Sequence, residues 1–258
     1  MAASAAPTIA CHGLTKQFGS LRAVDDLSLA VYPGELFGFL GPNGAGKTTT
    51  IKMMAGLLRP TAGTATIGGY DIQVEPLRAK AILGYIPDNP FLYEKLTGQE
   101  FLNFMADLYS VATRNRARRI DDLLRLFELQ DKGGELIQGY SRGMRQKIAL
   151  AGALIHQPSV IFLDEPTVGL DPKSARLMKD VLRQLCRDGT TVFVSTHILE
   201  IAERMCDRFG IIHRGRLVAL GTMNELRERA ASDTKSLEDI FLELTSGEEL
   251  GDLIRYLS

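Results

Sequence analysis

The sequence predicts an α/β fold: a parallel sheet covered by helices on both faces, an antiparallel β part ahead of it, and a helical insertion. Three observations carry this. The apolar runs Leu36–Leu40, Val160–Leu163 and Thr191–Val194 are continuous rather than alternating, as in strands buried on both faces. A glycine-rich stretch, residues 41–49, lies between the first of these runs and a helical one. From about residue 89 to 155 the apolar residues fall at helical spacing instead.

Taken in order, residues 8–18 and 21–32 read as two strands. Val24, Leu27, Leu29 and Val31 give a mostly alternating apolar face, with a turn at Phe18-Gly19-Ser20. Pro33-Gly34 closes the hairpin and leads into Leu36–Leu40. Ile51, Met54, Ala55 and Leu58 then mark a helix. Residues 63–70 read as a short strand with a turn, and Leu83-Gly84-Tyr85-Ile86 as another, ended by Pro87. In the helical segment, Thr97-Gly98-Gln99-Glu100 is a capping box, with Leu96 placed to staple against Phe101. Phe101, Met105, Leu108 and Tyr109 form one apolar face. Ile120, Leu123, Leu124 and Phe127 form the next, on a helix expected to end at Gly133-Gly134. Arg114, Arg116, Arg118 and Arg119 open that second helix and read as a solvated face, with an anionic surface as the alternative partner.

After Val160–Leu163, Pro172 suits the first turn of a helix that buries Met178, Val181, Leu182 and Leu185. Thr191–Val194 is the next strand, followed by a helix with Ile198, Ile201, Ala202 and Met205. Two short strands around 209–213 and 216–220 meet at Arg214-Gly215. The tail carries two small amphipathic patterns: Leu237, Ile240, Phe241 and Leu244, then Leu250, Leu253, Ile254 and Leu257.

Composition bounds the function. The chain has 258 residues, 45% hydrophobic and 24% charged, with a net charge of -1, so it has no overall electrostatic footprint for nucleic acid. Cys11, Cys186 and Cys206 are far apart and show neither metal spacing nor a disulfide framework, which suits a reducing compartment. Met1–Pro7 has no basic or long apolar segment and is not read as a signal peptide. No stretch reaches the roughly 20 apolar residues of a membrane span.

The chemistry begins at Gly41-Pro42-Asn43-Gly44-Ala45-Gly46-Lys47-Thr48-Thr49, which matches G-x-x-x-x-G-K-[ST]. Glycines let backbone N–H groups turn around a phosphate, and a helix starting near Gly46 adds its positive dipole end. Lys47 supplies a point charge for the β/γ-phosphates, and the Thr48 hydroxyl can ligate Mg²⁺. Asp164 and Glu165 end an apolar strand, where one acid can hold Mg²⁺ and a second can orient or deprotonate an attacking water. These residues indicate a nucleoside triphosphatase without saying which kind.

Tyr140-Ser141-Arg142-Gly143-Met144-Arg145-Gln146-Lys147, shortly before the Asp-Glu strand, resembles the signature motif of ABC-type ATPases, usually Leu-Ser-Gly-Gly-Gln. Arg142 and Met144 depart from the usual Gly and Gln. The resemblance covers about residues 8–245. It implies a RecA-like P-loop core with an antiparallel β subdomain, a helical insertion over about 89–150 within a 1–232 ATP-binding domain, and a 233–258 C-terminal helical extension. It also implies ATP and Mg²⁺ as ligands. Phe18 resembles the aromatic that stacks on adenine, and Val24 is implied beside the nucleotide. Gly169-Leu170-Asp171 resembles the D-loop, and His197 the switch histidine at the γ-phosphate. Asp88 stands where the family most often has Gln; as a metal-site candidate it joins Thr48 and Asp164.

The resemblance further implies a head-to-tail dimer. Ser141 and Gly143 of one chain would meet the ATP held by Gly41–Thr49, Asp164, Glu165 and His197 of the other. The second subunit would be a copy or a paralogue, and separate transmembrane permease subunits would carry the substrate path. The expected location is then peripheral, at the cytoplasmic face of the membrane. Phe91, Leu92 and Tyr93 are candidates for the permease contact or for the core of the insertion. The run Pro87-Asp88-Asn89-Pro90 and the tail 236–241 resemble the exporter-type branch. A soluble ABC ATPase acting on nucleic acid or ribosomes, and a module that binds ATP without turnover, are the alternative functions.

Overall fold

The computed structural model describes residues 6–230 and 234–246. The first hairpin forms as the alternation predicts, from β1 (Ile9–Phe18) and β2 (Leu21–Val31). β3 (Leu36–Leu40) runs into the glycine-rich loop, and α1 (Lys47–Met54) follows. β4 (Ala62–Ile67) pairs with β1, and Gly68-Gly69 turns it into β5 (Tyr70–Asp71). Next come α2 (Pro76–Ala81) and β6 (Leu83–Ile86). The helical segment contains α3 (Gly98–Leu108), α4 (Thr113–Leu126) and α5 (Arg142–Leu154). β7 (Val160–Asp164), α6 (Pro172–Arg187), β8 (Thr191–Thr196) and α7 (Leu199–Met205) restore the strand–helix alternation. β9 (Arg208–His213), β10 (Arg216–Gly221), α8 (Met223–Arg229) and α9 (Leu237–Ser246) complete the described chain.

Two sheets result, one of four strands in the order β2-β1-β4-β5 and one of six in the order β10-β9-β3-β8-β7-β6. In the larger sheet β6, β7, β8, β3 and β9 are mutually parallel, and β10 is added antiparallel at the edge. The strands alternate between two cores. Leu36, Leu40, Ile161, Leu163, Val192 and Val194 face the core shared with α3–α7. Phe37, Phe39, Phe162 and Phe193 face the second core, shared with the small sheet and α1. Each run reads as uniformly apolar because both faces of each strand are covered.

Local rules account for most boundaries. Thr97 and Glu100 make the capping box at α3, each side chain bonding the other's backbone N–H at 3.1 and 2.8 Å. Ser141 and Asp171 are simple N-caps of α5 and α6, accepting from the N–H groups of Met144 and Ser174. One expected boundary is wrong. α4 ends at Leu126 rather than at Gly133-Gly134. Glu128 turns the chain at φ +57, and short 3₁₀ turns follow at Gln130–Lys132 and Ile137–Gly139. α2 and α8 lie outside the sequence prediction; at six and seven residues they are too short to show a period.

The arginine cluster is less solvated than expected. Arg119 donates to the Ile155 carbonyl at 2.8 Å, while Arg116 donates to Val111 and pairs with Asp107. Arg114 and Arg118 remain exposed. Leu237 and Ile240 of α9 are buried in the helical-side core. The second tail pattern, at 250–257, lies outside the described residues. Among the described residues, no helix is long and apolar enough to cross a membrane.

Candidate functional site

The site forms at the C-terminal edge of three adjacent parallel strands, where ligands of open α/β sheets bind. β3 ends in the glycine-rich loop, β7 in Asp164 and β8 in Ser195-Thr196. The strand register places Thr196 beside Leu40 and Ser195 beside Asp164. Residues distant in sequence thereby converge on the loop.

Two glycines in the loop are required by their surroundings. A Cβ on Gly41 would lie 2.4 Å from the Ile212 carbonyl oxygen of β9. Gly46 caps α1 at φ +109, and a Cβ there would lie 2.5 Å from the Ala23 carbonyl oxygen. Lys47 opens α1 and folds back over the loop, donating to the carbonyls of Gly41 at 2.7 Å and Pro42 at 3.2 Å. Its ammonium is buried and stands 3.7 Å from Glu165 Oε1. Burial lowers its pKa, while the charges of Glu165 and Asp164 oppose that shift.

The two acids have different surroundings. Asp164 is buried and accepts hydrogen bonds from the Thr48 hydroxyl, at 2.7 Å, and from the Ser195 hydroxyl. Glu165 follows at φ +51, a left-handed conformation that a glutamate seldom adopts and that is found where neighbours over-determine the backbone. Its carboxylate contacts His197 Nδ1 at 2.9 Å and accepts from the Thr196 hydroxyl at 3.0 Å. Asp164 is thereby tied to the loop, and Glu165 to the histidine.

A cleft of about 370 Å³ opens over these groups. Phe18, Leu21 and Ala23 form one side, the loop from Asn43 to Thr49 the floor, and Asp88, Asp164 and Glu165 the other side. A larger groove of about 840 Å³ runs between α4 and the end of α6, but it has no phosphate cradle and no convergent catalytic groups.

Phe18 is about half exposed and faces the cleft, as a stacking aromatic must. Val24 does not face it. Its side chain is fully buried, with Cγ2 3.3 Å from where a Gly46 Cβ would lie, so it packs behind the loop while Ala23 lines the cleft. Ser141 and Gly143 also lie outside this cleft. Ser141 accepts from the Met144 N–H at 3.3 Å, and Gly143 lies near Leu170, Asp171 and Ser174. Asp171 caps α6 through Ser174. Phe91 and Tyr93 are exposed, while Leu92 packs inward against the helical-side core.

The donor set fits Mg²⁺. Thr48 and Asp164 offer hard oxygens 2.7 Å apart. Among the described residues no cluster of three His, Cys, Asp or Glu side chains could form a protein-only metal cage. A hydroxyl and a carboxylate leave positions for waters and phosphate oxygens, the ligands Mg²⁺ keeps.

Ser195 and Thr196, which orient the two acids, were not singled out as site residues from sequence. The available signal was a pair of hydroxyl residues ending an otherwise apolar buried strand, since buried hydroxyls need partners.

A strand–loop–helix phosphate cradle with an acid from the adjacent strand and a histidine beyond it defines a P-loop nucleoside-triphosphate-binding protein. The comparisons narrow this class. The chain matches the family described as ABC transporter over residues 24–168. It is 39% identical over 225 residues to daunorubicin resistance ATP-binding protein DrrA3 of Streptomyces coeruleorubidus, covering 87% of this chain and 71% of that protein. Against the probable multidrug ABC transporter ATP-binding protein YbhF of Escherichia coli it is 39% identical, covering 90% of this chain but only 40% of that protein's length. A solved structure titled as the ATP binding subunit of an ABC transporter superposes with a TM-score of 0.87 and 34% identity, covering 92% of this chain and 99% of that one. The chain belongs to the ABC transporter ATP-binding family.

Proposed function

We propose that this protein is the ATP-hydrolysing subunit of a membrane exporter. One observation carries the reading: Lys47, Thr48, Asp164 and Glu165 line a single cleft at the strand ends, with His197 behind Glu165 at 2.9 Å. The names of DrrA3 and YbhF, which refer to drug resistance and multidrug transport, support the exporter branch.

In this reading the backbone of Gly41–Thr49 and the Lys47 ammonium bind the β- and γ-phosphates of ATP, and Phe18 stacks on the adenine. Thr48 and Asp164, with Asp88 as a further candidate, would hold Mg²⁺, which would supply neutralisation of phosphate charge when bound. Glu165 orients and deprotonates the attacking water, as a general base within reach of the cleft. His197 holds Glu165 through Nδ1 and presents its other ring nitrogen to the γ-phosphate. Ser141 and Gly143 at the start of α5 complete the site of a second ATP-binding subunit, a copy or a paralogue. ATP closes that dimer and hydrolysis reopens it.

Phe91 and Tyr93 dock a separate transmembrane permease, so the subunit sits peripherally at the cytoplasmic face of the membrane. The 1–232 ATP-binding domain then carries the chemistry, and the 233–258 extension follows it.

Turnover with purified protein tests the reading. Wild type hydrolyses ATP, and Glu165→Gln loses about 10²–10⁴-fold in rate, the range for a general base, while still binding ATP. Equal rates for the two proteins would instead support a module that binds ATP without turnover.

A further inference from the structure

Two residues that depart from the family's usual motif meet at the edge of the cleft that Asp88 lines. Arg142 Nη2 lies 3.9 Å from Asp88 Oδ1. The two come from different parts of the chain: Asp88 follows β6 and lines the cleft, while Arg142 is the first residue of α5 in the helical insertion. Arg142 also packs on a third segment. A Cβ on Gly169 would lie 2.8 Å from Arg142 Cζ and 2.9 Å from Nε and Nη1, so the guanidinium rests against the Gly169 backbone. Both side chains remain more than half exposed, so the pair is a solvent-screened one.

This arrangement answers a question raised by Asp88. A carboxylate on the wall of a cleft built for a triphosphate repels its ligand unless a cation stands close by. Lys47 is spoken for by the phosphates in the ATP-site reading, and the carboxylate it stands beside is Glu165, at 3.7 Å, not Asp88. Arg142 is the cation paired with Asp88.

We propose that Arg142 is a positioning residue for the nucleotide cleft of its own chain. Its charge offsets Asp88, so that an acid can stand beside the triphosphate without excluding it. The proposal rests on the reading that the cleft binds ATP. The two departures then form one compensated pair, with Gly169 leaving room for the guanidinium.

The test is a double-mutant cycle on ATP affinity. The full chain is titrated by displacement of a fluorescent ATP analogue in EDTA, where neither turnover nor Mg²⁺ contributes. Arg142→Gln should weaken ATP binding about two- to fivefold, the scale of one exposed charge pair. Arg142→Lys should recover most of the loss. Asp88→Asn should bind at least as tightly as wild type, and adding Arg142→Gln to it should cost almost nothing. The Arg142→Gln loss should also shrink at about 1 M salt, where the Debye length falls to about 3 Å and exposed charges farther apart than that are largely screened.

An unchanged affinity in Arg142→Gln would overturn the proposal. So would an equal loss in the Asp88→Asn background, which would mean that Arg142 acts on the nucleotide directly. If wild type binds no ATP, or if Lys47→Ala binds as well as wild type, the ATP-site reading fails first. If Lys47→Ala abolishes binding and the cycle shows no coupling, only the pairing fails. Circular dichroism checks that each variant is folded.

Discussion

His156, just beyond α5, makes this fold sensitive to acid. Its ring stacks on Tyr109 at 3.6 Å between centroids. Burial lowers its pKa from 6.5 to about 4, against a hydrogen bond at the Leu83 backbone that favours the charged ring and with the nearby charge of Arg119 adding to the fall. The folded state therefore favours the neutral ring, whereas the unfolded chain takes up a proton as pH drops below 6.5. Stability is present above 6.5 and is lost as pH falls toward 4. For a shift of this size, linkage gives a loss of about 2 kcal/mol by pH 5. The ring is only half-buried, so solvent screening reduces this to about 1 kcal/mol. His156→Phe keeps the stack on Tyr109 and removes the titration. Urea unfolding at pH 7 and pH 5 should show wild type losing about 1 kcal/mol more than the variant. Carboxylates titrate equally in both proteins and cancel from the difference. An identical pH dependence in the two proteins would refute the argument.

Three further outcomes follow from the geometry. Lys47→Ala removes the buried cation from the cleft and should weaken ATP binding at least about 100-fold by calorimetry, as expected for loss of a charged group that contacts phosphate directly; unchanged affinity would sink the phosphate-site assignment. Thr97→Ala breaks the capping box of α3 and should cost about 1 kcal/mol in urea unfolding, without changing ATP affinity. Gly41→Ala drives a methyl group to 2.4 Å from the Ile212 carbonyl and should cost about 1–3 kcal/mol, measured as a lower Tm.

The strands were legible in the sequence because burial on both faces makes their apolar runs continuous, and Leu36–Leu40 and Val160–Leu163 needed no tertiary information. Capping chemistry was equally readable, as Thr97-Gly98-Gln99-Glu100 demonstrates. The end of α4 was not, because Glu128 stops the helix through a backbone conformation that its side chain does not announce.

By itself the sequence determined the phosphate loop, the Asp-Glu pair and the order of the principal strands and longer helices. These depend on local residue type and on period, both of which are written along the chain. Tertiary structure alone decided which residues share the cleft. Strand register brought Ser195 to Asp164, and packing turned Val24 behind the loop and left Ala23 in front. The meeting of Asp88, Arg142 and Gly169 belongs to the same kind. Such contacts join segments about 20 to 55 residues apart, beyond the reach of any local pattern.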